Sequence, residues 1–89
     1  MIDWEEVKRK YREGFARSSD EELIKSFNRQ VGCAGWVTAR MWYLHYLSNE
    51  IRRREFNSDV IFDLDENGNI QAMKLSQKVE LVDDRLVFL

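Results

Sequence analysis

Apolar residues recur every three or four positions through the first part of the chain and every second position through its last third, a pattern that predicts helices followed by strands. Asp3 stands three residues before Glu6, with Ile2 just outside and Val7 just inside. That is the capping-box and hydrophobic-staple arrangement of a helix start. The first helix is expected over residues 4–16, burying Trp4, Val7, Tyr11 and Phe15 between charged positions. Ser19 with Glu22 makes a second capping box, and Leu23, Ile24, Phe27 and Val31 form the stripe of a helix over 20–31 that Gly32 ends. Gly32 and Gly35 bracket the following turn. A third helix, over 36–55, is expected to bury Val37, Met41, Leu44, Leu47 and Ile51, with Trp36 and Tyr43 beside them. Its flank carries Trp42, His45, Tyr46, Asn49 and Arg53, a mixed surface that folding alone does not require.

After Asn57-Ser58 the period becomes two. Val60, Phe62 and Leu64 alternate with Ile61, Asp63 and Asp65, and Asn67-Gly68 is a strong hairpin signal. Strands are expected over 59–65, 70–75, 79–83 and 85–89, setting Phe62 opposite Met73, Val60 opposite Leu75, Leu81 opposite Leu86 and Val79 opposite Phe88. The fold class is therefore α+β: three helices followed by a four-stranded antiparallel β-meander packed on them, in a single domain over 1–89. In this register the outer face of the sheet carries Ile61, Ile70, Ala72, Val82, Val87 and Leu89, and the last strand has neither proline nor an inward charge to protect its edge. Ile61, Val82, Val87 and Leu89 are the expected self-association residues of a homodimer formed through the sheet.

Eighty-nine residues with 44% apolar side chains suffice for one hydrophobic core. A lone cysteine, Cys33, forms no internal disulfide, and no apolar run reaches the roughly 18 residues of a membrane span. The expectation is a cytoplasmic protein without membrane contact. The net charge of −2 hides a polarity. Residues 31–57 hold four basic and two acidic side chains, whereas residues 58–89 hold three basic and seven acidic ones.

Few residues group as chemistry would require. Asp63, Asp65, Asn67 and Gly68 match the start of an EF-hand calcium loop, but the twelfth position is Lys74 instead of a bidentate Glu, and the flanks are strands. A polar hairpin turn is the simpler reading; a weak calcium site of another kind is the alternative. Cys33 and His45 would be roughly 18 Å apart if both belonged to the third helix, which argues against a Cys-His pair. No metal-binding helix motif, phosphate loop or nucleophile elbow is present in the sequence, so no cofactor and no enzymatic activity are expected. A helix-turn-helix centred on Gly32 is disfavoured, because Asn28 falls where that motif wants a small residue. The basic-aromatic third helix is the remaining candidate, with Arg40, Trp42, Tyr46, Arg52, Arg53 and Arg54 as partner-binding residues. An unidentified protein is the expected partner; nucleic acid, held by arginine-phosphate contacts and ring stacking, is the alternative.

The string Gly35-Trp36, Arg40, Tyr43-Leu44, Leu47 and Glu50 resembles a pattern of small uncharacterised bacterial proteins of about this length. The resemblance implies a bacterial cytoplasmic protein and no particular activity. It also implies that Gly35, Trp36 and Arg40 form one structural unit.

Overall fold

Asp3 opens α1 (Trp4–Arg17) by accepting the backbone N–H groups of Glu5 and Glu6. At the start of α2 (Asp20–Gln30) the capping box closes in both directions: Ser19 Oγ accepts from Glu22 N and Glu22 Oε1 from Ser19 N, each at 3.1 Å. These bonds to the charged form hold the Glu22 carboxyl below its ordinary value of 4.5, the backbone bond from Ser19 contributing most. The third helix, α3, runs Thr38–Arg53, shorter than expected at both ends because Val37 and Arg54 are extended. The computed structural model describes residues 1–33, 35 and 37–89. Trp36, expected to begin α3 and to join Gly35 and Arg40 in one unit, lies outside the described residues.

Phe15, Leu23, Ile24, Phe27, Leu47 and Ile51 from the helices meet Phe56, Ile61, Phe62, Val79 and Leu86 in one buried core. Tyr43 of α3 is wedged against α1, its ring edge-on to Tyr11 at 5.3 Å and to Phe15 at 5.1 Å between centroids. The stripe predicted for α3 is buried only in its C-terminal half. Leu47 and Ile51 are inaccessible, whereas Met41 is 53% exposed and Val37, just ahead of the helix, 64%.

Among the described residues the chain is α+β, with three α-helices and four strands, β1 (Phe62–Leu64), β2 (Ile70–Met73), β3 (Val79–Val82) and β4 (Arg85–Phe88). The strands do not join into one meander: β1 pairs only with β2, and β3 only with β4, both antiparallel. The registers within the hairpins are those expected, with Phe62 opposite Met73, Leu81 opposite Leu86 and Val79 opposite Phe88. Asp83 and Asp84 both take positive φ, the geometry of a type I′ turn matched to strand twist.

A backbone argument explains the missing β2–β3 pairing. The bond from Leu89 N to Lys78 O makes Lys78 and Leu89 a hydrogen-bonded pair, so by alternation the N–H and C=O of Val79 point away from β4. Asn28 of α2 takes both groups: its Nδ2 donates to Val79 O and its Oδ1 accepts from Val79 N, each at 2.9 Å. At Val79 the carboxamide thus occupies the two bonds a neighbouring strand would have made. At the other edge of this sheet, Asn57 N donates to Asp84 O and Asn57 O accepts from Leu86 N, both at 2.8 Å. The beginning of β4 is covered, contrary to the unprotected edge expected there.

Two further expectations fail near the chain reversal before β1. Asn57 Oδ1 accepts from Asp59 N and starts a 3-10 turn over Asp59–Ile61. The strand alternation therefore restarts at Phe62; Val60 does not face Leu75 in a ladder, and Ile61 turns fully into the core instead of lying on an outer face. Between β1 and β2 the connection is not a two-residue Asn-Gly turn. Gly68 alone is left-handed, Gly68 N donates to Asp65 O, and the register shifts between Asp63 and Leu64.

Replacing Asn28 with Ala strands two buried backbone groups, and urea denaturation is expected to show a loss of about 2–4 kcal/mol. The depressed Glu22 carboxyl fixes a sign for acid sensitivity. Its folded pKa lies below the unfolded one, so its contribution is complete above pH 4.5 and vanishes as pH falls through the lowered value. Denaturation midpoints should therefore fall more steeply on acidification in wild type than in Glu22→Gln.

Candidate protein-docking groove

The exposed half of α3 forms one wall of a groove of about 800 Å³ whose opposite wall is β2. Met41, Trp42, Leu44 and His45 line the helical side, and Ile70, Ala72, Met73 and Leu75 the strand side. Among the described lining residues Arg40 is the one arginine, and no lysine, aspartate or glutamate joins it. Arg40 is itself engaged: Nε donates to Gln30 Oε1, Nη1 to Gly35 O and Nη2 to Cys33 O. It ties the α2–α3 connection to α3 and so sets the end of the groove. Gly32, at a left-handed φ of 79°, closes the same end by donating its N–H to Leu75 O at 3.1 Å.

The strand wall has an open edge. Lys74 N donates to Ile61 O at 2.7 Å, which places Lys74 and Ala72 in the hydrogen-bonded positions toward β1. Met73 therefore directs its N–H and C=O away from β1, whereas Gln71, skipped between the pairs Asp63–Ala72 and Leu64–Ile70, is the extra residue of a bulge in β2. Among the described residues, none bonds to the outward groups of Met73.

The six residues expected to bind a partner do not form one patch. Arg54 is a structural clasp: Nε donates to Glu50 Oε2 at 2.8 Å, Nη1 to Asp20 Oδ1 at 2.9 Å, and Nη2 to the carbonyls of Phe15 and Ser18. Burial by itself would lower the Arg54 pKa, but the bonds to Glu50 and then Asp20 outweigh it and raise the value above the ordinary one. Arg53 bonds Glu50 Oε1 at 3.1 Å from an exposed position. Arg52 lies apart, beside a second cavity of about 220 Å³ with Phe56 and Asn57.

Trp42 borders the groove, yet Lys8 Nζ stands 3.8 Å over its ring, and Tyr46 lies beside it with the ring planes at 28°. One face available to a stacking base is already occupied by a cation. Of the expected self-association residues, Ile61 is core, Val87 is half-buried, and Val82 and Leu89 are exposed on the β3–β4 hairpin.

The polar candidates also find local partners. Asp65 Oδ1 accepts from the N–H groups of Asn67 and Asn69, and Asp63 pairs with Lys74 at 3.5 Å, so the calcium-like stretch is built as a self-bonded hairpin turn. No cluster of metal-ligating side chains occurs among the described residues. Cys33 and His45 both line the groove, but the thiol donates to Arg29 O and the imidazole bonds Asn49. No helix among the described residues is long and apolar enough to cross a membrane. No family model, curated protein or solved structure matches the chain.

Two residues that matter here had a visible signal. Asn28 interrupts the apolar face formed by Ile24, Phe27 and Val31, and Glu50 stands four residues before Arg54 in the favourable helical order. Glu50 is 7% exposed, so removing Arg54 leaves a buried carboxylate short of its main partner. Arg54→Ala is expected to cost about 3 kcal/mol and Arg53→Ala about 0.5 kcal/mol or less, compared by denaturant unfolding.

Proposed function

We propose that this protein is a non-enzymatic protein-interaction domain that receives an extended polypeptide segment in the groove between α3 and β2. The observation that carries this reading is the open edge at Met73, running beside an apolar helical wall. Main-chain bonds to Met73 supply register and affinity, and the groove receives every second side chain of the incoming strand. Ligand side chains facing Met41, Leu44 and Met73 are apolar. The described groove carries no acidic side chain and one arginine, so a neutral or mildly acidic segment is favoured over a basic one.

Parts of the other strand edges are covered. Asn28 takes the outward N–H and C=O of Val79 on β3, and Asn57 covers the start of β4. β1 carries Asp63 and is followed by Asp65. Edge charges of this kind are one way sheets prevent unwanted pairing. On β2 the stretch Ile70–Met73 carries no charge and no proline.

Selection from a displayed library of unstructured ten-residue peptides tests the proposal. Enriched peptides should alternate apolar and polar positions. Their affinity should fall about tenfold or more on Met73→Pro, which deletes the outward donor while leaving the ladder bonds of Ala72 and Lys74 to β1 in place. Met41→Glu should weaken binding similarly. Absence of binders, or binders indifferent to both substitutions, would contradict it.

A further inference from the structure

Ile70 borders two cavities, the docking groove and the smaller one of about 220 Å³ beside the C-terminal turn of α3. Along α3, Met41, Leu44, Ser48 and Arg52 follow one another at helical spacing, so the wall of the groove passes into the wall of the cavity on one face of the helix. Resting on the docking reading, we infer that the cavity receives the C-terminal residue of the docked segment, its free α-carboxylate held by Arg52 and Ser58.

Three donors at this cavity lack a partner among the described residues. The Arg52 guanidinium is exposed and makes no ion pair or hydrogen bond, unlike those of Arg53 and Arg54 beside it. Ser58 is 7% exposed, and its hydroxyl is likewise unbonded, although every fully enclosed side-chain oxygen among the described residues has a partner. The hydroxyl is therefore open to the cavity that Ser58 lines. Asn57 Oδ1 is taken by Asp59 N, which leaves Asn57 Nδ2 as the third donor. A guanidinium, a hydroxyl and a carboxamide N–H are groups that a carboxylate accepts from.

The rest of the lining selects among anions. Asp59 also borders the cavity, so an arriving group meets one cation and one anion. A doubly charged phosphate is opposed there, whereas a chain terminus brings a single charge and, on the same residue, an amide N–H that Asp59 can accept. In an internal Asp or Glu one or two further carbons separate the carboxylate from its amide. Phe62, Leu64 and Ile70 give the last side chain an apolar floor, and the cavity, smaller than the roughly 300–1,000 Å³ that encloses whole small molecules, suits a single residue. Direction follows as well. With its carboxylate at the Ile70 end of β2 the segment runs antiparallel to β2, and at about 3.4 Å per residue Met73 bonds a residue roughly three positions before the last.

Two probes separate this inference from the docking reading. N-acetylvaline and its C-terminal amide, titrated into isotope-labelled protein, address the cavity without the groove. The acid should shift the Arg52 Nε–H and Ser58 amide signals saturably and the amide at least tenfold more weakly; Arg52→Gln should abolish the difference, and Ser58→Ala should weaken the acid. Ten-residue peptides displayed with free C-termini, set against the same library fused at that end, address groove and cavity together. Binders should come from the free-ended library and lose about tenfold or more on C-terminal amidation, a loss that Arg52→Gln removes. Equal recovery from both libraries, or tighter binding of inorganic phosphate than of N-acetylvaline, would overturn the terminal carboxylate and leave docking in the groove standing. Specific binding of the acid with no binder from either library would contradict docking and support the carboxylate site, and silence with every probe would overturn both.

Discussion

The rest of the architecture depends on the Arg54 guanidinium. It reaches from the end of α3 to Asp20 at the start of α2 and to the Phe15 and Ser18 carbonyls at the end of α1, while neutralising buried Glu50 on its own helix. Every helix is thereby tied at one point. The last carbonyls of α1 gain a cationic donor where the helix dipole favours one. With this end fixed, Leu47 and Ile51 are held in the core and the other half of α3 projects beyond it. The groove follows from that projection, because the β1–β2 hairpin returns beside a length of helix that no core element covers.

The second constraint is the management of strand edges. Two separate hairpins in a chain of this size expose more unpaired backbone than one meander would, and among the described residues Asn28 covers Val79 of β3 while Asn57 covers the start of β4. Asn28 is the most economical of these devices, since one carboxamide reproduces the donor and acceptor of a missing strand.

Features determined within a few residues were legible in the sequence. Asp3 as the N-cap of α1, the capping box and apolar stripe of α2, and the register of the β3–β4 hairpin emerge from local spacing. What escaped depends on contacts between distant segments. Asn28 meets Val79 across the fold, and Arg54 meets Asp20 and Phe15, so an arginine that reads as surface becomes the clasp. Ile61 escaped for a different reason. The Asn57 side chain bends the chain into a 3-10 turn, and one such turn shifts the alternation on which face assignment rests. Of the groove, the sequence displayed the aromatic wall through Trp42 and His45 but not its pairing with β2.

Residue-resolved amide hydrogen exchange with and without a selected peptide tests the central claim most directly. The account predicts that Ala72 and Val79 are protected in both conditions, by β1 and Asn28 respectively, whereas Met73 exchanges freely in the protein alone and gains protection when the peptide is added. Rapid exchange at Met73 in both conditions would contradict a docking edge on β2.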